Sequence, residues 1–543
     1  MKSKTLLFTT TSLLALSIAH EAKSSTNPNK KSKEQPNVVL IVIDDMGYND
    51  FSSRETALDD VKKFGTPGLN RLASSGVFFT DAYATCPISS PARNGIITGR
   101  YQQRWGNYWF NQGGLDPREK TIAHLLKENG YDTKHIGKVH LNGGPTQHPM
   151  DRGFDEFIGF INHTWDYKRL SQKDVQAYAD KGVQVPNGFG SCQDVGALWR
   201  DRDPIGADYD DTEAYTTEIF TDEAIEFMNR ERGDNPFFVT LSYNAVHQPT
   251  YVMDKEYAEK VGIEYEPWDR NAEKWAFPYW EPTDISQKDF HAKYGRMSEV
   301  VPDGRIRYMT QLLALDDAIN KLLDNLTESG ELENTLIICI SDNGGETAGY
   351  SNNEPLKGHK YMLGEGGIRV PMMVSYPSKI KPNQISNTLV SGLDILPTIL
   401  EYTGIENIPT NLDGKSLTSI LKGKKEVIHD ALVWDITTIG NATEKNQNFA
   451  VRKGDWKLVV SPGHGIQGYK LDEKGIATLT HSKYPSGTVL FNLKDDISET
   501  TDLAAKYPEK AEELLKIYKQ WRSEMEDPTI YRDKAAVYES YCR

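Results

Sequence analysis

The 543-residue chain is short of cysteine and of positive charge, and beyond its first twenty residues it has no long apolar run. Its four cysteines, Cys86, Cys192, Cys339 and Cys542, show no C-x-x-C spacing, which excludes a zinc ribbon or a dithiol redox motif. One or two disulfides stay open, while Cys339, inside an apolar run, reads as a buried thiol. Lys and Arg number 62 against 77 Asp and Glu, for a net charge of −15 and a pI near 5.4. That balance speaks against nucleic acid as a partner, and an anionic substrate would have to meet a local cluster of cations. Repeats and low-complexity tracts are also missing. The one apolar stretch, Leu6 to Ala19, is too short for a membrane span. With Lys2 and Lys4 before it and Ser17-Ile18-Ala19 or His20-Glu21-Ala22 after it, residues 1–22 read as a secretory signal. No cysteine follows to suggest a lipid anchor, so a periplasmic location is expected, with 23–35 as a polar tether outside the fold.

What is present reads as α/β. The run Val38-Val39-Leu40-Ile41-Val42-Ile43 is continuous and β-branched, as in a strand buried on both faces. Thr66 and Pro67 give an N-cap and a first helical residue, predicting a helix that stops at Gly76 before a short strand over 77–79. Helices over 121–130, 212–230, 305–326 and 394–402 alternate with strands running into Gly137-Lys138 and over 237–243 and 336–341. This order predicts a large, mostly parallel sheet with helices on both faces. After Lys425 the pattern changes to short strands over 448–452, 456–460 and 489–493 and a helix over 508–525. The expected division is therefore a main domain over 36–425 and a small α+β unit over 426–543. Residues 165–210 and 251–300, rich in Trp, Tyr, Asp and Pro, fit poorly and read either as aromatic surface packing or as a substrate-shaping rim.

In parallel α/β sheets, ligands bind beyond the carboxyl ends of the strands. Asp44 and Asp45 follow the first strand. Asp342 and Asn343 follow the strand ending at Ser341, and Gly344-Gly345 permits a tight turn. Three carboxylates and an amide oxygen are hard donors suited to calcium, less well to magnesium, and not to zinc. Lys138 and His140 leave another strand, and alternation would send both to one side. His247 lies in Ala245-Val246-His247-Gln248-Pro249, and Lys360 stands ahead of Glu365-Gly366-Gly367-Ile368-Arg369-Val370-Pro371. Singly, each has a plain reading as a turn residue, a structural histidine or a solvated lysine. The stretch from Cys86 to Arg100 adds Ser89, followed by Pro91 and Arg93 at a helix start whose free amides suit an anion. Cys86, three residues earlier, is easily mistaken for the reactive residue.

The pattern Ser89, Pro91, Arg93, Thr98-Gly99-Arg100 closely resembles the signature of the formylglycine-dependent sulfatases. Gly137-Lys138-Val139-His140, the His247 motif, the Lys360 motif and the tail Leu490-Phe491-Asn492-Leu493 with Glu499 to Leu503 resemble that family's other motifs. The resemblance covers 37–503 and implies an alkaline-phosphatase-like fold and a sulfuric ester hydrolase. It implies one calcium held by Asp44, Asp45, Asp342, Asn343 and residue 89, and oxidation of Ser89 to formylglycine (3-oxoalanine). Serine stands where cysteine is commoner, which implies an anaerobic-type maturing enzyme as partner; Ala92 stands where serine is commonest. It further implies that Arg93, Lys138 and Lys360 steady the aldehyde hydrate and the sulfate while His140 and His247 move protons. The chemistry is coherent, because a serine hydroxyl is a weak nucleophile whereas a hydrated aldehyde offers two hydroxyls. One attacks sulfur while metal and cations stabilise charge, with His247 protonating the leaving alcohol. The other gives its proton to His140 and expels sulfate.

A sulfated carbohydrate cleaved by exo action is the expected substrate, from the aromatic inserts and from what bacterial members of the family commonly do. Arg104, Trp105, Trp165 and Trp268 are candidate contacts. Two other readings stay open: a phosphonate or phosphate monoester hydrolase on the same fold, and a non-catalytic calcium-dependent glycan-binding protein with Ser89 unmodified. A two-metal phosphatase would want a second Asp/His set where Arg93, Lys138 and Lys360 stand. No oligomeric state follows from the sequence.

Overall fold

The run after the tether becomes β1 (Asn37–Ile43), buried along its whole length at the middle of a large sheet. The computed structural model describes residues 35–109, 114–141, 148–161, 167, 198–204, 215–248, 250, 253–265, 302–437 and 447–528. In chain order the next strands are β2 (Val77–Phe79), β3 (Ala82–Tyr83), β4 (Asp132–Lys138), β5 (Glu156–Phe160), β6 (Trp199–Arg200) and β7 (Asp203–Pro204). They are followed by β8 (Phe237–Ser242), β9 (Thr335–Ser341), β10 (Met372–Ser375) and β11 (Gln384–Ser386). All but β3 form a ten-stranded sheet in the order β11-β2-β10-β9-β1-β8-β4-β5-β6-β7. The central strands β9, β1, β8, β4 and β5 are mutually parallel. Antiparallel β10 was not anticipated: four residues close to Pro371 and Pro377 carry too little pattern to separate them from a loop. The five-residue β5 was also missed, its run being too short to carry a pattern.

Strand alternation makes the two cores. Val39, Ile41 and Ile43 face one way, onto Leu69 and Leu72 of the helix Pro67–Ser74, Phe220 of Thr216–Asn229 and Leu312, Ile319 and Leu322 of Gly304–Glu328. Val38, Leu40 and Val42 face the other way, onto Ile96 of Ser89–Thr98, Leu126 of Ile122–Lys127 and Ile395 and Ile399 of Ile395–Thr403. A strand covered on both faces has no polar side to show, which is why its sequence does not alternate.

The later part adds β12 (Val390–Ser391), β13 (Leu432–Asp435), β14 (Phe449–Lys453), β15 (Trp456–Ser461), β16 (His464–Leu471), β17 (Ala477–Tyr484) and β18 (Gly487–Asn492). β12 pairs with β3. β13, β14, β15 and β18 make an antiparallel sheet in that order. One face packs Val433, Phe449, Val451 and Leu458 under Leu514 and Tyr518 of the helix Pro508–Arg522. The other sets Trp434, Ala450 and Val459 against Ile88 and Ala92, so the second sheet backs directly onto the segment that carries Ser89. The hairpin β16–β17 was not foreseen, because its residues are mostly half-exposed and no apolar alternation marks it. Its Tyr469 hydroxyl donates to the Tyr350 carbonyl at 2.5 Å. Cys86 and Cys339 are buried free thiols, while Cys192 and Cys542, the signal segment and nearly all of the tether lie outside the described residues.

Candidate active site

Neighbouring strands in register deliver their loops at one level. Ile43 of β1 pairs with Ser341 of β9, so Asp44-Asp45 and Asp342-Asn343 emerge side by side. The Asp342 amide donates to the Ile43 carbonyl at 3.0 Å, and the Asp44 amide to Ala245 at 3.0 Å, which draws the continuation of β8, and with it His247, to the same place. Asp45 has a left-handed backbone (φ 59), one that aspartate tolerates better than most residues. Ser351 Oγ holds the Asp45 carbonyl at 2.8 Å, and Asn353 Oδ1 accepts from the amides of Tyr48 and Gly345 at 3.3 and 3.0 Å. Ser351 and Asn353 were missed in the sequence, where Ser351-Asn352-Asn353 looks like any polar loop.

Ser89 opens its helix after Ile88, whose side chain makes no cap hydrogen bond. The helix is seated by Gly95, where a Cβ would lie 2.4 Å from Thr85 Oγ1. Ser89 Oγ donates to Asn343 Oδ1 at 2.9 Å and lies 3.4 Å from Asp44 Oδ1. Arg93, one turn on, donates through Nε to Asp342 Oδ2 at 2.9 Å and reaches Asp44 Oδ1 at 3.4 Å. Lys138 Nζ pairs with Asp44 Oδ2, and Lys360 Nζ with both oxygens of Asp45 at 2.8 Å. His247 Nε2 is 3.5 Å from Asp45 Oδ2, and Nδ1 is 2.7 Å from the Gln248 carbonyl. A carbonyl can only accept, so Nδ1 carries the hydrogen and Nε2 is the titrating nitrogen.

Burial and charge oppose each other throughout. Burial would raise the Asp44 carboxyl, but Lys138, His247 and Arg93 hold it at about 2. Asp45 is lowered as well, because Lys360 and His247 outweigh burial. Burial would lower Lys360, and Asp45 reverses this and raises it. Lys138 and His247 stay below their ordinary values, chiefly from burial. As a cation site the donors fit: Asp44, Asp45, Asp342, Asn343 and Ser89 present only oxygen and are at most 1% exposed. Among the described residues, ligand atoms of Asp44, Asp45 and His247 all lie within 4.8 Å of one another.

Not every sequence-predicted residue joins this centre in the expected way. β4 ends at Lys138 and His140 takes a left-handed backbone (φ 48), so strand alternation does not orient it. Arg104 is bidentate on Asp413 at 2.7 and 2.5 Å. Trp105 donates to the Gly114 carbonyl and is packed with Leu115, Val139, Leu141 and Phe157. Arg104 and Trp105 thus each have a partner within the protein. Trp165 and Trp268 lie outside the described residues.

Comparison with known proteins identifies the family. The sulfatase family model matches residues 36–405, and the model for the C-terminal part of N-sulphoglucosamine sulphohydrolase matches 358–467. Human N-acetylgalactosamine-6-sulfatase is 26% identical over 520 residues, covering 89% of this chain and 84% of its own. A sulfatase of Formosa agariphila is 26% identical over 540 residues, covering 89% and 87%. The solved structure of Ps i-CgsB in complex with k-i-k-neocarrahexaose superposes with a TM-score of 0.70 at 26% identity, covering 94% of this chain and 98% of that one. With the family model spanning more than half of the chain, and the acids, cations and Ser89 converging at the strand ends, the protein belongs to the sulfatase family and is a sulfuric ester hydrolase.

Proposed function

We propose that this sulfatase removes sulfate from a carbohydrate, using formylglycine made from Ser89 and one calcium ion held by Asp44, Asp45, Asp342, Asn343 and residue 89. One observation carries this reading: Ser89 Oγ sits 2.9 Å from Asn343 and 3.4 Å from Asp44, in a ring closed by Arg93, Lys138, Lys360 and His247. The sugar class is supported by the human relative's name and by the neocarrahexaose bound to Ps i-CgsB. A hydrated aldehyde would supply a paired-hydroxyl nucleophile, and calcium would supply positive charge beside the sulfuryl oxygens.

The chain's own residues then divide the work. Arg93, fixed by Asp342, and the two lysines, each fixed by an aspartate, are pre-set to meet charge on the sulfuryl oxygens without rearranging. His247, with Nδ1 committed to Gln248, takes up a second proton at Nε2 when it is cationic and gives that proton to the departing sugar oxygen. His140 takes the proton whose loss lets sulfate go. The mature protein acts in the periplasm after signal removal, on a terminal sulfated sugar. The peptide spanning 89 from active native protein should be about 2 Da lighter than its serine form, apart from hydration. Active protein with only serine at 89 overturns the formylglycine assignment, and failure to release sulfate from any sulfated sugar overturns the substrate class.

A further inference from the structure

The reacting groups are buried, so recognition of whatever carries the sulfate must come from what borders them. Tyr361 does so, and Trp109 lies against it: both are only partly buried, with ring centroids 5.9 Å apart and planes tilted by 40°. Tyr361 follows Lys360, whose Nζ lies 5.4 Å from the Tyr361 ring centre and 2.8 Å from Asp45. On its other side the Tyr361 amide donates at 2.7 Å to the carbonyl of Pro87, two residues before Ser89. The ring is thus tied both to a cation of the site and to the segment that carries the nucleophile. Its backbone is left-handed (φ 72), a costly conformation for an aromatic residue and one that persists where surroundings over-determine it, ligand clamps among them. Cys86, Ile88, Leu363 and Trp434 form an apolar cluster against which both rings pack.

We propose that Trp109 and Tyr361 form an angled wall on which the sulfate-bearing sugar ring stacks. A pyranose has an apolar C–H face that packs on aromatic carbon while its hydroxyls stay at the edge, in keeping with pockets that pair an apolar wall with a few polar groups. The inference rests on the carbohydrate reading above and adds the residues that grip the ring.

The test uses matured full-length enzyme with galactose 6-sulfate, N-acetylgalactosamine 6-sulfate, N-acetylgalactosamine 4-sulfate, 4-methylumbelliferyl sulfate, and inorganic sulfate as inhibitor. On any sugar sulfate the wild type cleaves, Trp109→Ala and Tyr361→Ala should raise KM at least about tenfold while the inhibition constant of inorganic sulfate moves less than about twofold. Tyr361→Phe, which keeps the ring, should bring KM back to within about threefold of wild type. An unmoved KM in both alanine variants, or a sulfate inhibition constant rising in step with KM, overturns the inference alone. A wild type that cleaves 4-methylumbelliferyl sulfate and none of the sugars overturns the carbohydrate reading and the inference with it.

Discussion

Two buried clusters in this molecule are made of the same charges and do different things. At the strand ends, Asp44, Asp45 and Asp342 face Arg93, Lys138 and Lys360. Between the main sheet and the second sheet, Asp81, Glu365 and Glu499 face Arg369, Arg452 and Lys457. Each set has three acids and three bases, so the count alone gives no hint of which is catalytic. In the second cluster each acid also takes a neutral hydroxyl: Thr80 on Asp81, Tyr83 on Glu365 and Tyr484 on Glu499, at 2.9, 2.6 and 2.9 Å. Its acids come from three separated places in the chain. In the first cluster two carboxylates are consecutive residues packed in one turn, a repulsive arrangement that a divalent ion would relieve. Such an ion would shift that cluster from balance to a surplus of two positive charges, which suits an anionic ester. Nothing similar applies to the second, which closes at neutrality and serves as a clamp.

Removing an acid from each cluster should therefore do different damage. Asp342→Ala should lower turnover by more than about a thousandfold with loss of the proposed calcium, since the site would lose both a hard ligand and the partner that fixes Arg93. Rate and metal content measured together check this, and retained calcium with lost activity would point to Arg93 alone. His247→Ala should cost about 10²–10⁴ in rate on sugar sulfates and much less on an aryl sulfate, whose leaving group needs little protonation. His140→Ala should slow both substrate types alike; equal losses for both variants on both substrates would end the division of labour. Glu365→Gln should leave the rate per folded molecule near wild type but reduce stability by about 3–5 kcal/mol, as when one partner of a buried ion pair is removed. Denaturant unfolding followed alongside activity separates the two.

Acid sharpens the same contrast. Burial would raise the Glu365 carboxyl, but Lys457, Arg369 and Arg452 bring it to about 2, below its ordinary 4.5. A carboxyl lowered on folding stabilises the protein above its unfolded value and loses that contribution as pH falls toward the folded one. Glu499 is displaced upward by burial and by Glu365, so its contribution has the opposite sign, present at low pH and fading as pH rises through its raised value. Wild-type stability should thus fall between about pH 4.5 and 2, and Glu365→Gln should make that limb shallower in denaturant titrations at stepped pH. The smallest effect is expected at Cys86, in the apolar cluster beside the clamp, where burial pushes the thiol up and away from reactivity. Cys86→Ala should keep activity within about twofold of wild type; a larger loss would place the border of the catalytic region before Ser89.

The gathering of acids at the strand ends was legible in the sequence and the clamp was not, for physical reasons. Asp44, Asp45, Asp342 and Asn343 stand directly after apolar runs whose buried character is written in consecutive residues, and parallel pairing brings such ends together. Asp81, Arg452, Lys457 and Glu499 gain their meaning only from packing between distant segments, and each alone is an ordinary charged residue. The same division runs through the fold. β1, β8 and β9 announce themselves by runs of aliphatic, aromatic and β-branched residues, whereas β10 is four residues long and β16–β17 is held by pairing and by Tyr469, not by an apolar face. Nothing in the sequence reveals that Arg104 meets Asp413 or that Trp105 packs with Leu115, Val139, Leu141 and Phe157.

Ser89 is 1% exposed, at the start of a helix pressed between the sheet and the second sheet. That seclusion sets an order of events. If Ser89 is oxidised as proposed, the oxidising enzyme would have to reach a side chain that the finished helix holds buried. On that proposal, conversion would come first and folding second. A chain that folds with its serine intact is committed, and supplying the maturing enzyme afterwards should rescue it only as fast as it unfolds. The yield of active protein is then decided by a race between modification and folding, which slower synthesis or a cooler culture can tilt.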